Sequence, residues 1–156
     1  MEKTDVLIIG GGLAGLYTAL NINANINITI VVKDTINIAN SELAQGGIAA
    51  TLSKSDDVLI KHIKDTLRAG ANLNDALATK TLVYEASDNI ERLIEFGVEF
   101  DTDNQGNLLM AQEGGHGTRR ILRAGGDATG REIMKALKKR ITEKENIKLI
   151  EGAMAT

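Results

Sequence analysis

The chain has 156 residues, 43% of them hydrophobic and 25% charged, as expected of one globular domain. Its net charge of −3 gives no electrostatic basis for binding nucleic acid or an anionic membrane. Cysteine is absent, which excludes disulfides, thiolate metal sites and redox thiols. Because we find neither an apolar run of membrane-spanning length nor a secretory signal pattern, we expect a cytoplasmic location and no membrane partner.

The segment from Thr4 to Leu20, TDVLIIGGGLAGLYTAL, predicts a buried strand, a glycine turn and the start of a helix. After the apolar strand Val6–Ile9, the glycines Gly10, Gly12 and Gly15 follow the pattern G-x-G-x-x-G. In that pattern the first glycine permits a tight turn, the second lets a pyrophosphate approach the backbone, and the third lets the helix pack closely. The strand-turn-helix context favours a phosphate site over a glycine-rich turn that binds nothing.

The rest of the chain alternates between helical and extended patterns. The first helix is expected to run from Gly12 to a left-handed asparagine cap near Asn23–Asn25, and a strand follows at Ile28–Lys33. The later predicted elements are helices at 55–70, 74–87, 88–96 and 130–144, capped by Ser55, Asn74, Ser87 and Thr129, and a strand at 147–150.

A strand, a helix and a second strand within about 30 residues predict a right-handed βαβ unit. The predicted fold class is therefore α/β, a Rossmann-like parallel sheet with flanking helices. We expect a three-layer core in which Val6–Ile9 is central, Ile28–Val32 lies beside it and the strand at 147–150 lies beyond.

The end of the second strand lacks the acidic residue that usually binds the ribose of a dinucleotide. Lys33 ends the strand and Asp34 follows it. Asp34 could serve after a shift of register, or the adenosine could be held by backbone and by Lys33. An ordinary solvated lysine is an equal alternative for Lys33.

Two later segments are rich in glycine. Residues 39–51, ANSELAQGGIAAT, permit close approach of a ligand or of another strand, and Ser41 is a plausible cap for a short turn. Residues 112–130, QEGGHGTRRILRAGGDATG, suit a polar, carboxylated small molecule because arginine forks match carboxylates. The alternative for residues 39–51 is a packed loop of small residues that binds nothing. The alternative for residues 112–130 is a charged surface loop. His62, on the helix at 55–70, is interpreted as a structural hydrogen-bonding residue.

Five blocks of sequence occur in the order seen in the succinate dehydrogenase/fumarate reductase flavoprotein family, which the chain resembles: GGGLAG, SELAQGGIAA, HIKDTLRAG, GVEFD and EGGHGTRRILRAGGDATGRE. Within that family they look most like the branch that oxidises L-aspartate. The resemblance implies a Rossmann-like FAD-binding domain, with FAD in place of NAD. The residues expected to contact FAD are Gly10, Gly11, Gly12, Leu13, Ala14, Gly15, Lys33, Asn40, Ser41, Glu42, Leu43, Ala44, Gln45, Gly46 and Gly47.

The resemblance also implies a reaction, the oxidation of L-aspartate to iminoaspartate in de novo NAD biosynthesis. Oxygen or fumarate would accept the electrons, and quinolinate synthase would act downstream. Glu113 is implied to be the catalytic-site group that recognises the α-ammonium of L-aspartate. Asn40 stands where membrane-bound relatives carry a histidine linked to the flavin, so FAD is expected to be non-covalent. Gly117 and Arg123 depart from the family's usual serine and histidine.

The resemblance extends over residues 1–156, yet implies only the N-terminal part of an FAD-binding domain. The capping and C-terminal helical domains of the family are absent, so we expect the domain to be incomplete and the chain alone to be inactive. The alternatives are a soluble fumarate reductase or succinate dehydrogenase flavoprotein, an inert FAD-binding module and a plain NAD(P)-binding domain. Glu113 and Asn40 argue against the first, and the AQGG and EGGH segments against the last.

Overall fold

A computed structural model describes residues 3–71 and 73–155 of the chain. Its elements in chain order are β1 (Val6–Ile9), α1 (Leu13–Asn21), β2 (Ile28–Val31), a 3₁₀ turn (Asn40–Leu43), β3 (Ile48–Ala49), α2 (Asp56–Ala69), α3 (Ala76–Glu95), β4 (Met110–Ala111), β5 (Ile121–Leu122), α4 (Thr129–Thr142) and β6 (Ile147–Ile150). The predicted α/β class is confirmed.

The described residues form two compact units. The first comprises those of Met1–Gln45, Phe96–Val98 and Ala128–Thr156, and the second those of Gly46–Glu95 and Glu99–Asp127. The first unit contains the parallel sheet predicted from the N-terminal pattern. The second contains α2, α3 and a small antiparallel sheet in the order β3-β5-β4.

The sheet of the first unit has the order β1-β2-β6, and all its strands are parallel. Ile28 pairs with Val6 on one side and with Ile147 on the other. Ile28 and Ile30 of β2 are fully buried, which fits the middle strand of a packed sheet. The predicted position of the strand at 147–150, beyond the second strand, is confirmed.

The position predicted for β1 is wrong for the described residues, because β1 lies at an edge of the sheet and β2 is in the middle. Gly15 of α1 lies against Ile8, and α4 packs on α1. Successive strand residues point to opposite faces, so Leu7 and Ile9 face away from α1, and they are 55% and 67% exposed. Since this face of β1 is uncovered, the described core has two layers here and not three.

The first helix ends earlier than predicted, at Asn21, and Ile22 after it is extended. Among the described non-glycine residues only Ala71 has a positive φ, so neither Asn23 nor Asn25 adopts the left-handed cap. The side chain of Asn23 instead accepts a hydrogen bond from the N–H of Asn25 at 3.0 Å. The asparagines therefore form this turn through side-chain bonding, which competes with helix continuation. The strand that follows ends at Val31, two residues before the predicted end.

The two helices predicted over 74–87 and 88–96 are a single helix, α3. Ser87, expected to cap the second of them, is buried inside α3, and its hydroxyl donates to the carbonyl of Leu52 at 3.4 Å. The serine therefore serves a tertiary contact that local sequence does not reveal.

The other predicted N-caps are also displaced or differently bonded. Ser55 occupies the N-cap position of α2, but its hydroxyl makes no capping hydrogen bond. Asp75 takes the role predicted for Asn74, because its carboxylate accepts the N–H three residues later at 2.7 Å. Thr129 is the first residue of α4, and Ala128 is its N-cap.

We predict that Gly15→Ala destabilises the protein by about 1–3 kcal/mol, the range for overpacking a close contact. A Cβ at Gly15 would lie 2.1 Å from the carbonyl oxygen of Gly10, which is backbone and cannot move aside. Urea unfolding measures the loss. Gly114→Ala is the control, because a Cβ there would meet no atom within 4 Å. Equal losses in both variants would contradict the packing role of Gly15.

Candidate functional site

A cavity of about 430 Å³ lies at the carboxyl ends of β1 and β2 in the first unit. Its volume falls in the range of small-molecule sites, about 300–1,000 Å³. Ligands of parallel α/β sheets bind outside the carboxyl ends of the strands, which is where this cavity lies. Of the residues predicted to contact the dinucleotide, the cavity brings together Gly10, Gly11, Gly12, Lys33, Asn40 and Ser41.

Three glycines of the turn are required by the packing of the protein itself. Gly10 has a φ of +108°, which side chains rarely adopt, and its N–H donates to the carbonyl of Val31. A Cβ at Gly11 would lie 2.6 Å from a methyl of Val32, and one at Gly15 would collide with backbone. The turn and packing roles predicted for Gly10 and Gly15 agree with this geometry.

Gly12 differs from the other three glycines. A Cβ there would meet only the hydroxyl of Ser41, at 3.2 Å, and a shift of a few tenths of an ångström would make room for it. The fold itself therefore does not need glycine at this position. Because Gly12 lines the cavity, the space beside its backbone is a cradle that a side chain would fill, as the pyrophosphate role requires.

The amino end of α1 adds positive potential to this cradle. Gly12 is the N-cap and makes no side-chain capping bond, while the hydroxyl of Ser41 accepts the N–H of Leu13 at 3.1 Å. An anion in the cavity would meet the positive end of the helix dipole through Gly12. Leu13, Ala14 and Gly15 do not line the cavity, so their direct contact with FAD stays a prediction.

Lys33 and Asp34 both line the cavity and both are exposed. The carboxylate of Asp34 accepts the N–H of Thr35 at 2.8 Å, and its carbonyl accepts the N–H of Gly152 at 3.2 Å. Backbone contacts thus fix Asp34 beside the cavity. The two predicted ways of holding the adenosine end are therefore both compatible with the geometry.

Several residues of the predicted flavin segment are held by contacts within the first unit. Glu42 forms an ion pair with Lys138 of α4, and the carbonyl of Ala44 accepts the N–H of Gly130 at 3.1 Å. Leu43 is 78% exposed and Gln45 is also exposed. The roles of these four residues toward FAD stay predictions.

Ser41 was predicted to cap the short turn of that segment, and this is wrong. The N-cap of the 3₁₀ turn is Ala39, and the turn comprises Asn40–Leu43. The hydroxyl of Ser41 is directed to α1 instead, where it meets the uncapped N–H of Leu13. Its bond therefore joins the segment at 40–43 to the start of the phosphate cradle.

The glycine pair Gly46-Gly47 lies in the second unit. Gly46 has a φ of +79°. A Cβ at Gly47 would lie 2.4 Å from the carbonyl oxygen of Leu122 and 2.5 Å from the side chain of Ile121. Close approach of β5 therefore accounts for Gly47, one of the two explanations offered by the sequence. Contact of either glycine with FAD stays a prediction.

Glu113, the predicted substrate-recognition residue, forms an ion pair with Arg123 in the second unit. The distance between Oε1 of Glu113 and Nη2 of Arg123 is 2.7 Å, and each side chain is 40% exposed. The sequence indicated Arg123 as one of several arginines at 112–130 that suit a carboxylate, and as a departure from the family pattern, but not as a partner of Glu113. Its pairing with Glu113 is therefore a new observation about the expected substrate site.

A buried polar cluster lies behind this pair. Arg120 is 1% exposed, and its guanidinium donates to Asp65 of α2 at 2.9 Å and to Thr118 at 2.7 Å. Asp65 also accepts the N–H of Gly117 at 2.8 Å, and His116 accepts from Arg120 at 3.3 Å. The N–H of Gly117 and, next, Arg120 lower the pKa of Asp65. Together these contacts attach the loop after Glu113 to α2.

Sequence analysis missed the pair of Asp65 and Arg120, because the two residues are far apart in the chain. The available signal was the spacing of His62 and Asp65, which places both on one face of α2. His62 is 2% exposed and hydrogen-bonded to the hydroxyl of Thr51 at 3.0 Å, in agreement with its structural interpretation. Burial and, next, the charge of Arg120 lower its pKa to about 4.

The family to which the chain belongs identifies the cofactor. Residues 5–156 match the model of the family described as FAD binding domain. The chain belongs to the FAD binding domain family. This match confirms FAD as the cofactor and sets aside the NAD(P) alternative. The residues of the cradle fit it, because Gly12 leaves room for a pyrophosphate at a positive helix end.

The chain is also similar to curated L-aspartate oxidases. It is 41% identical to that of Clostridium acetobutylicum over 150 residues, covering 96% of this chain and 34% of the relative. It is 40% identical to that of Nostoc sp. over 154 residues, covering 99% of this chain and 26% of the relative. The chain thus spans about a third or less of the length of these relatives.

The chain is similar to solved structures as well. Mycobacterium smegmatis Sdh1 in complex with UQ1 superposes with a TM-score of 0.87 at 27% identity, over 97% of this chain and 28% of that one. A flavocytochrome c3 fumarate reductase in an open conformation gives 0.80 at 27% identity, over 95% of this chain and 27% of that one. The resemblance to the succinate dehydrogenase/fumarate reductase flavoproteins is confirmed. Within the described residues, no helix has the length and apolarity to cross a membrane.

We predict that acid destabilises the protein through His62. Because the pKa of His62 is about 4 in the folded protein and 6.5 ordinarily, the unfolded chain takes up the proton first as pH falls. The contribution of neutral His62 to the free energy of unfolding is complete above about pH 6.5 and is lost as the pH falls toward 4. Between pH 7.5 and pH 5 this loss is about 2 kcal/mol. Urea unfolding at the two pH values measures it. His62→Gln should lose less stability over the same interval, and an equal loss would refute the assignment.

Proposed function

We propose that the chain is the N-terminal part, residues 1–156, of the FAD-binding domain of a longer L-aspartate oxidase. The remaining part of the enzyme carries the rest of that domain, a capping domain and a helical C-terminal domain. Two findings support this division: the FAD-binding family spans residues 5–156, and the curated relatives are about three times longer than the chain or more. The chain alone is then inactive, because it holds only part of the site.

The proposed reaction is the oxidation of L-aspartate to iminoaspartate, with oxygen or fumarate as final electron acceptor. FAD, when bound, supplies the immediate acceptor of the two electrons. The support is the similarity of about 40% to proteins named L-aspartate oxidase over nearly the whole chain. A role in NAD biosynthesis, a cytoplasmic location and quinolinate synthase as the downstream enzyme are the finer parts of the proposal.

The observation that carries FAD binding is the space beside Gly12. In the proposal, Gly10, Gly11 and Gly12 surround the pyrophosphate at the start of α1, and Lys33 contacts the adenosine end. Asn40 lines the same cavity, and its amide offers no nucleophile for a covalent bond to the flavin. FAD is therefore proposed to be bound without covalent attachment.

Glu113 is proposed to recognise the α-ammonium of L-aspartate. Its carboxylate is 40% exposed, so it is accessible to a small ligand, and its backbone belongs to a loop attached to α2 through Asp65. A charge-assisted hydrogen bond from an ammonium to a carboxylate is among the stronger polar contacts. It selects the amino acid over dicarboxylates that lack an ammonium.

A second candidate is the reduction of fumarate by a soluble flavoprotein. The structural similarity to a flavocytochrome c3 fumarate reductase favours it, and so does Arg123, which offsets the charge of Glu113. A dicarboxylate would then meet less repulsion at Glu113. The two candidates differ in what Glu113 contributes, and its substitution separates them.

We predict that Gly12→Val abolishes FAD binding without unfolding the protein. The Cβ of valine would meet only the hydroxyl of Ser41, yet the side chain fills the space proposed for the pyrophosphate. In the full-length enzyme, flavin occupancy by absorbance should fall at least about tenfold while circular dichroism is unchanged. Gly15→Val is the contrast, since it should lose fold and flavin together. Full occupancy in a folded Gly12→Val enzyme would remove the phosphate assignment.

We predict that Glu113→Gln weakens L-aspartate oxidation and spares or improves fumarate reduction. The loss in kcat/KM for L-aspartate should correspond to roughly 1.5–3 kcal/mol, the range for a hydrogen bond to a charged group. Glu143→Gln is the matched control, because Glu143 pairs with Arg140 at 2.8 Å and is 44% exposed. Equal losses in both reactions would leave Glu113 with a structural role only.

A further inference from the structure

The ion pair of Glu113 and Arg123 brings two opposite charges to an accessible surface. The side chains meet at 2.7 Å, and each is 40% exposed. Exposed ion pairs contribute little to folding stability, because water screens them and ordering two long side chains costs entropy. Stability is therefore a weak explanation for this pair, and its position in the second unit is more informative.

Arg123 is held by contacts with two other segments of the second unit. A Cβ at Gly47 would lie 3.0 Å from Cγ of Arg123, so the stem of the arginine lies over that glycine. The carbonyl of Arg123 accepts the N–H of Asp101 at 2.7 Å, which fixes its backbone. The stem of Arg123 is thus placed beside Gly47, which under the proposed function lines the flavin.

Glu113 is held from the other side. Its carbonyl accepts the N–H of His116 at 3.2 Å, and the following turn is tied to Asp65 through Gly117. Asp65 in turn pairs with the buried Arg120. Both members of the exposed pair therefore have backbones fixed by the fold, and such preorganisation lowers the entropic cost of binding a ligand.

The contact between the two side chains leaves Nη1 of Arg123 and Oε2 of Glu113 for a ligand, while Nε of Arg123 is buried. A guanidinium has five N–H donors and a carboxylate has two acceptor oxygens, while the pair uses Nη2 and Oε1 in this contact. An α-amino acid carries an ammonium and a carboxylate on one carbon. Placed across the pair, each of its charges lies beside the opposite charge of the protein.

We infer that Glu113 and Arg123 together recognise the zwitterionic end of an α-amino acid. Glu113 accepts hydrogen bonds from the α-ammonium, and Arg123 donates to the α-carboxylate. This inference rests on the proposed function and assigns Arg123 as a specificity-determining residue of the same site. A dicarboxylate without an ammonium gains the arginine contact but is repelled by Glu113, so the pair favours amino acids over succinate and fumarate.

The test uses the full-length enzyme loaded with FAD, with KM and kcat measured for L-aspartate. Arg123→Gln should raise KM for L-aspartate at least about tenfold and change kcat by less than about threefold, because a binding contact is lost. Arg123→Lys should recover part of the affinity, since it keeps the charge but not the fork. Anaerobic reduction of the flavin at a series of L-aspartate concentrations, followed by absorbance, should show the same order of apparent affinities.

Arg140→Gln is the matched control. Arg140 pairs with Glu143 at 2.8 Å, with side-chain exposures of 42% and 44%, in α4 and its C-cap. It should leave KM for L-aspartate unchanged. Circular dichroism, measured for every variant, shows whether each one is folded, and flavin occupancy shows whether its cofactor site is intact. Arg123→Lys keeps the test informative if Arg123→Gln loses its flavin.

An unchanged or lower KM in Arg123→Gln would overturn the inference, because Arg123 would then only neutralise Glu113. An equal rise in KM in Arg140→Gln would overturn it too, since the effect would not be local.

Failure of the proposed function has a different signature: the wild-type enzyme would not oxidise L-aspartate at all. Succinate titration gives a further readout, and we expect Glu113→Gln to tighten succinate binding and Arg123→Gln to weaken it.

Discussion

The close approach of α1 to the turn after β1 sets the geometry of the first unit. Only a hydrogen atom fits at Gly15, because a Cβ would lie 2.1 Å from the carbonyl oxygen of Gly10. Gly10 in turn donates its N–H to Val31, which ties the turn to the end of β2. The positive end of the helix and the ends of two strands therefore meet at one place. Gly12, which the packing leaves unconstrained, is then available to a phosphate.

The second unit depends on one carboxylate in a comparable way. Asp65 receives the guanidinium of Arg120 and the N–H of Gly117, and these contacts fix the loop that carries Glu113. Removing one partner of a buried pair leaves an uncompensated charge, which costs far more than the pair itself contributes. Asp65 and Arg120 thus hold the loop from within the unit, while the carboxylate of Glu113 remains accessible at the surface.

Local patterns in the sequence predicted the parts of the fold that depend on local contacts. The strand, the glycine turn and the order of the parallel strands follow from residues 4–33 and from the handedness of βαβ units. The family blocks predicted FAD and the relevant relatives. Ser87 was misinterpreted as a cap because its partner, the carbonyl of Leu52, is 35 residues away. The pairing of Arg120 with Asp65 was not predicted for the same reason, because the two residues are 55 positions apart in the chain.

The first unit is built from separated stretches of chain, and this bears on the order in which it can form during synthesis. β1, α1 and β2 leave the ribosome first, but β6 pairs with β2 only after more than about a hundred further residues. Closing so long a loop is entropically unfavourable if the intervening chain is unfolded. Most of that chain belongs to the second unit, whose contacts can form before α4 and β6 are made. Collapse of the interior stretch would shorten the effective loop, so we expect the parallel sheet to close after the second unit has formed.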